Sequence, residues 1–505
     1  MVGTSYEHYK YERLAGSREE FPSDALTDME AGSTSGAGYT NGAGSSEYKM
    51  LSYFARVNYT LMDRYLFEVN MRADASSRFH KDHRWGYFPS FSAGWRMSEE
   101  SFMKDIEWIN NLKIRASYGT LGNINNVGNY DYFQNYSSGN HYNFSDSPVI
   151  GIGESKPANE TLGWEKVALT DIGLDFDIFN GLLGVTADYY IKNTSDILLG
   201  YNVPTETGIT AAPSQNIGKV KNTGFELALN HRNKIGAVNY SIGANIATNK
   251  NKITNLGGSD NIIQTSSYIV KYILKKGESI GSFYGFKTDG LYTQADIDAG
   301  HYYTLSGVVP NAGDIKFVPQ RDIEYKQEIT DEDRTILGKD VPDFTYGVNL
   351  SLQYKGFEFS MFGQGISGTK VAFDVYGVHP FYHGQDSPRK YHLKRWTEEN
   401  PNPHAAYPRI YSASSVHTTY NRNFSDYHLF DSDYFRFKTL SLGYTVPSAT
   451  VKNWGLQSLK VYVTGENLFT VRADKKMEDF DPETAGGVIY TLGTKSVAFG
   501  VNISF

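Results

Sequence analysis

Two aromatic groups and one acidic stretch are the residues best placed to do chemistry. Tyr130, Tyr132, Phe133 and Tyr136 form the first group, and Tyr376, His379, Phe381, Tyr382 and His383 the second. Flat aromatic faces stack on sugar rings while polar neighbours fix hydroxyls. The plainer reading is that these rings pack loops onto each other or against a protein partner. Asp322, Glu324 and Asp333 fall at ligand positions of a calcium loop, with Ile329 at its buried position. Lys326 stands where that loop needs a carboxylate and Gln327 where it needs glycine. The stretch therefore reads as a solvated acidic loop, and no metal is expected. His379 and His383 are close in sequence, but Pro380 and Gly384 break the helix that would align them on zinc. No GxSxG elbow, Walker loop or HExxH motif occurs. Gly151-Ile152-Gly153 lacks the strand–helix setting of a dinucleotide site, and the acids show no hydrolase spacing. The residues support no enzyme class and no cofactor.

The elements that must position these groups are strands. In the last ten residues Val497, Phe499, Val501, Ile503 and Phe505 alternate with small or polar residues. Alternate side chains of a strand face opposite ways, so the segment has an apolar and a wet face. The same period runs through Leu51–Leu61, Tyr65–Met71, Phe91–Met97, Leu112–Tyr118, Ile172–Ile178 and Leu183–Ile191. It continues through Phe225–Leu229, Val238–Ile246, Phe344–Tyr354, Phe357–Met361, Tyr434–Tyr444 and Leu459–Val463. With a first strand within Val2–Leu14, about fourteen strands result, each near the ~9–11 residues that cross a bilayer at a tilt. Arg436 and Lys438 break the pattern and are expected above the apolar band.

Short and long connections alternate. The short ones are Met62–Arg64, Asn180–Gly181, His231–Gly236, Lys355–Gly356 and the moderate Ser98–Asn111. The long ones are Ala15–Glu47, Asn123–Glu160, Asn251–Val341, Ser367–Asp431 and Val471–Thr494, the third with an extra hairpin expected around Ser282–Lys287. Outer-membrane barrels have short periplasmic turns and long extracellular loops. Charges such as Arg56, Glu68, Arg72, Lys113, Arg115, Asp171, Asp175, Asp188 and Glu226 share the polar faces. In lipid an open sheet edge leaves backbone groups unpaired, so the strands must close, alone or with another segment.

Composition agrees. The 505 residues have a net charge of −8, 38 Tyr, 29 Phe, 49 Gly and no cysteine. Mean hydropathy is −0.45, and no run of roughly eighteen apolar residues occurs. A spanning barrel escapes that test, because only alternate residues meet lipid. The missing cysteines exclude thiol chemistry and disulfides. The acidity argues against a nucleic-acid partner. Met1–Tyr6 carries no basic or apolar leader, so the chain reads as part of a longer barrel protein. The competing fold is a soluble multi-sheet β protein, whose strands are shorter and lack the loop rhythm.

Several motifs then resemble the SusC/RagA-type TonB-dependent transporters of Bacteroidota. They include Ser52–Tyr59, Asp63-Arg64-Tyr65, Asp74–Phe79, Phe88–Arg96, Leu112–Gly119 and Asn159–Glu165. Asn222–Glu226, Asp333-Arg334 with Leu337-Gly338, Tyr434–Tyr444 and Gly465–Phe469 add to them. The resemblance covers essentially the whole chain. It implies an all-β, antiparallel transmembrane barrel in the bacterial outer membrane, of which residues 1–505 supply about 14 of an expected ~22 strands. It further implies a plug domain, a TonB-contacting segment and a signal peptide outside this chain. A SusD-like surface lipoprotein would act as lid, the TonB complex would drive import through the missing N-terminal region, and the cargo would be oligosaccharide or peptide. Val501, Ile503 and Phe505 resemble the signal read by the barrel-assembly machinery. A passive porin-like wall and a surface binding or adhesion protein are the alternatives.

Overall fold

The computed structural model describes the chain except residues 35–39, 145–146, 201–204, 208–213, 266–268, 374–378, 382–386 and 484–492. Its main feature is a 15-stranded antiparallel sheet. One strand, Lys250–Leu256, branches from it. The other fourteen follow one another in chain order, as the alternation predicts. They are β1 (Val2–Ser17), β2 (Thr40–Leu61), β3 (Tyr65–Ser76), β4 (Trp85–Arg96), β5 (Ile109–Asn123), β6 (Glu165–Ile178) and β7 (Leu183–Gly200). Then come β8 (Ser214–Ile235), β9 (Val238–Thr248), β10 (Phe344–Tyr354), β11 (Phe357–Ser367), β12 (Tyr434–Thr445), β13 (Ser458–Arg472) and β14 (Ser496–Ser504).

Register turns the sequence period into two surfaces. Tyr240 lies opposite Leu352, Leu352 opposite Phe359, Phe359 opposite Leu442, Leu442 opposite Val463 and Val463 opposite Phe499. One residue away, the row is Ser241, Ser351, Ser360, Ser441 and Thr464, with the Ser441 and Thr464 hydroxyls 2.9 Å apart. Facing side chains in a ladder share a side of the sheet, so one side is continuously apolar and the other small and polar. β2 and β3 repeat this, with Tyr59 facing Phe67 and Val57 facing Val69, against Asn58 facing Glu68 and Arg56 facing Asn70. The apolar side is also bare. Phe499 is 84% and Val57 65% exposed, values a water-soluble sheet would not leave in contiguous rows.

The two-residue turn Lys355-Gly356 has φ of 46° and 90°, the left-handed pair a tight hairpin requires. Met62–Arg64 also turns as expected, but β8 runs through Ile235, which pairs with Val238, so that turn is shorter than His231–Gly236. Strand ends differ most where β1 and β2 stay paired out to Ser17 and Thr40. The connection expected at Ala15–Glu47 is therefore partly ladder. At 22 residues, β2 and β8 run well past the length needed to cross a bilayer. Extra hairpins do form in the connection Asn251–Val341, where Asn261–Thr265 pairs with Lys271–Lys275 and that strand with Ser282–Gly285. Ser282–Gly285 pairs with Lys271–Lys275 and Thr335–Lys339, while Lys287–Leu291 pairs with Ile315–Val318.

At Arg436 and Lys438 the broken alternation coincides with a change of face. The register of β12 shifts between Phe437 and Thr439 against β13, and between Phe362 and Gly363 of β11. Such a bulge slips the alternation by one residue. Phe435 and Phe437 thus keep the apolar side, and Arg436 turns to the polar side beside Thr470.

The chain divides into two compact units, residues 1–93, 117–170 and 193–219, and residues 94–116, 171–192 and 220–505. The first has a small core of Phe79, Phe88, Val127, Leu162 and Trp164. In the second, the segments between β9 and β10 and between β11 and β12 fold together. Phe286, Leu291, Ile315 and Phe317 pack with Trp396 and Tyr420. Buried Asp314 fastens them, accepting from His417 Nδ1 at 2.8 Å and Asn421 Nδ2 at 2.8 Å.

Candidate functional site

On the polar side of β5, β6 and β7, Arg115 reaches Asp171 at 3.4 Å, Asp175 at 3.2 Å and Asp188 at 2.7 Å, while Lys113 lies 3.5 Å from Asp175. A Cβ on Gly173 would fall 2.3 Å from Asp188 and 2.5 Å from Arg115, so only glycine leaves room for this cluster. Carboxylates outnumber cations, and such fixed charge needs water or a cationic neighbour.

A recess of about 500 Å³ opens on the polar side of β3, β4 and β5. Its walls carry Glu68, Arg72 and Asp74 with the small residues Ser90, Ser117 and Gly119, and the larger Phe88, Phe91, Tyr118, Leu121 and Leu169. Asn70 Nδ2 donates to Glu68 at 2.8 Å and to Ser90 at 3.2 Å, which fixes the floor. The volume and a lining of aromatic and aliphatic side chains with a few charged and hydroxyl groups suit a small ligand that has both polar and apolar faces. Sequence reading missed this recess. The signal was there in the run of small residues at polar-side positions, Ser90, Ser92, Ser117 and Gly119.

Of the first aromatic group, three rings come together. Tyr132 stacks on Phe133 at 4.2 Å, and Tyr130 lies 6.4 Å from Phe133. Tyr132 also packs against the first unit's core, and the Tyr130 hydroxyl accepts from the Glu47 N–H at 3.2 Å. Phe133 stays half exposed. Tyr136 stands apart on the hairpin Asn135–Phe144 and Ser147–Lys156, exposed by 64%.

Of the second group, Tyr376, Tyr382 and His383 lie outside the described residues. Phe381 is exposed, whereas His379 is 2% exposed. The His379 ring therefore faces loop interior rather than a ligand. Its Nδ1 lies 3.2 Å from the Tyr407 hydroxyl, and its ring 5.3 Å from buried His428. Burial pushes His379 well below the usual imidazole range, helped by His428, Arg422 and His392. Burial likewise pushes His428 down to about 4. An unfolded imidazole titrates near 6.5, so the neutral form is the one this packing stabilises. The stability is complete above pH 6.5 and is lost as pH falls toward 4, by ~3 kcal/mol for a fully buried ring. Protection of residues 387–431 from proteolysis should therefore fall across that window. His428→Asn should flatten the dependence, and a flat wild-type profile would contradict the burial of the two rings.

The acidic stretch is occupied from within. Asp333 accepts from Arg321 Nη2 at 2.7 Å and Nε at 3.1 Å, and from the N–H groups of Gln320, Arg321 and Thr330 at 3.0, 3.1 and 3.0 Å. Burial opposes its ionisation, but these donors outweigh burial and hold it at about 2. Asp322 and Glu324 are exposed. Of the three acids at calcium-loop positions, Asp333 has spent its lone pairs on these donors, and the described residues hold no group of three or more such ligands here. At the other end of the chain, Val501 and Ile503 on β14, the last strand in the sheet order, are exposed by 58 and 48%, and Phe505 just past its end by 82%.

A sheet with one continuous apolar side, one charged side and co-folded long loops defines an outer-membrane β-barrel. The family model "TonB dependent receptor-like, beta-barrel" matches residues 3–468, and the chain belongs to that family. It is 31% identical over 480 residues to TonB-dependent receptor P3 of Formosa agariphila, covering 93% of this chain and 46% of that protein. It is 29% identical to the TonB-dependent receptor SusC of Bacteroides thetaiotaomicron, covering 90% and 43%. The solved structure of the RagAB peptide transporter superposes with a TM-score of 0.79 at 25% identity, over 100% of this chain and 53% of that one. The chain spans about half the length of the relatives it matches.

Proposed function

We propose that this chain forms the C-terminal wall and loops of a SusC-type nutrient importer of the outer membrane. The plug and the TonB-contacting segment belong to sequence outside residues 1–505. A SusD-like lipoprotein covers the loops, and the cargo is an oligosaccharide or a peptide, the latter being what the RagAB peptide transporter carries. Val501, Ile503 and Phe505 serve as the strand that the barrel-assembly machinery reads. The observation that carries the reading is the charged, recessed side facing away from the apolar rows, because a path for polar cargo needs such a wall. Tyr132 and Phe133 offer stacking area where cargo or lid would arrive.

Uptake by cells expressing the full-length protein tests this. Labelled oligosaccharides and peptides should enter one class against the other, and a protonophore should abolish entry. Tyr132→Ala with Phe133→Ala should lower uptake at least ~10-fold, equivalent to ~1.4 kcal/mol. Uptake that survives the protonophore identifies a passive channel. Binding without uptake identifies a surface receptor.

A further inference from the structure

A second cavity, of about 350 Å³, lies within the first unit at the loop end of β4. Its walls include Asp82, His83, Trp85, Tyr87, Lys166 and Asp196. It is separate from the polar-side recess. Trp85 and Tyr87 have the same strand parity as Phe91 and Trp95, so they end the apolar row that meets lipid. They are 42% and 62% exposed, and Trp85 stacks on Tyr53 at 6.0 Å. Trp and Tyr at such a level sit among lipid headgroups.

The cavity is held rigid from below. The Asn216 side chain accepts from the Gly163 N–H at 2.9 Å and donates to the Gly163 carbonyl at 2.9 Å and the Asp196 carbonyl at 2.8 Å. The Trp164 indole N–H donates to the Arg84 carbonyl at 2.9 Å. The polar groups above this floor have both signs. Lys166 is only loosely paired, 3.9 Å from Asp196. With Asp82 and Asp196 against one lysine, the lining is acidic at neutral pH, which repels a bare phosphate. A lining that combines the aromatic Trp85 and Tyr87 with two carboxylates and an amine offers partners for both the apolar face and the hydroxyls of a sugar ring.

We propose that this cavity binds a neutral saccharide ring at the membrane surface. The sugar is presented by a glycolipid of the outer leaflet or by a free oligosaccharide. The assignment rests on the outer-membrane fold and is independent of what the barrel imports.

The test uses the full-length protein in phosphatidylethanolamine nanodiscs with and without a neutral glycosylated lipid. Native mass spectrometry reads retained lipid, and tryptophan fluorescence reads titration with a neutral hexose tetrasaccharide. The wild type should hold one of the two, and Trp85→Ala and Lys166→Ala should each weaken it at least ~10-fold. Tyr87→Ala replaces Trp85→Ala should loss of the Tyr53 stack prevent assembly. Retained glycolipid names the leaflet as source, and tetrasaccharide binding names free glycan. Failure of both sugars to bind, binding unchanged in the variants, or tighter binding of inorganic phosphate would overturn the proposal. Uptake measured in parallel tells that failure apart from failure of the import reading.

Discussion

Arg436→Ala should destabilise the protein by about 3–5 kcal/mol, the cost of removing one partner of a buried ion pair. The guanidinium is 5% exposed and holds Asp481 at 2.6 Å, Glu483 at 2.8 Å and the Thr470 hydroxyl at 2.9 Å. It ties β12 to the loop that leads toward β14. Burial alone would raise the Asp481 and Glu483 carboxyls, but their hydrogen bonds, to Arg436 for Asp481 and to Lys438 for Glu483, hold both below the usual range. Without Arg436, Lys438 still pairs with Glu483 at 2.6 Å, and Asp481 keeps only the charge of Arg472 nearby. The two carboxylates, 14% and 24% exposed, then ionise at a cost in a partly dry site. Urea unfolding in liposomes should show the loss, and Asp481→Asn in the Arg436→Ala background should restore part of it. A change under ~1 kcal/mol would mean that the pair is solvated and worth no more than a surface bridge.

The second large effect separates the two sides of one strand. Leu350→Arg places a cation in the apolar row beside Ile242 and Met361 and should cost about 2–4 kcal/mol near the bilayer midplane. Asn349→Arg, one residue away on the polar side, should cost well under half of that. The native pair differ little in size, so a difference reflects the medium each side meets. Equal penalties in reversible unfolding from lipid would contradict the register.

Much of the sheet was legible because period-two alternation and tight turns act locally. Lys355-Gly356 between two apolar alternations left a single possible pairing, and β10 and β11 follow it residue for residue. The slip at Phe437 was visible only as a broken pattern. Its resolution needed Asp481 and Glu483, which lie far along the chain and give Arg436 its reason to turn to the polar side. The paired ends of β1 and β2 escaped notice because Gly16, Ser17, Gly42, Gly44, Ser45 and Ser46 are small or polar at both parities, erasing the period. The loop interiors escaped for a different reason. Phe286, Trp396 and Tyr420 are brought together by contacts across more than a hundred residues, which no local pattern encodes. The aromatic groups were found by composition, yet composition could not tell buried His379 from exposed Phe381.

Residues 1–505 contain no cysteine, so a single cysteine introduced on either side of a strand is the one thiol among them. Spin labels at Val348→Cys, Asn349→Cys, Leu350→Cys and Ser351→Cys of the full-length protein in liposomes give the decisive measurement. Collision with dissolved oxygen should dominate at 348 and 350, and collision with a water-soluble nickel chelate at 349 and 351. A flat or inverted pattern would show that hydrocarbon does not meet the apolar rows, and the barrel assignment would fall with it.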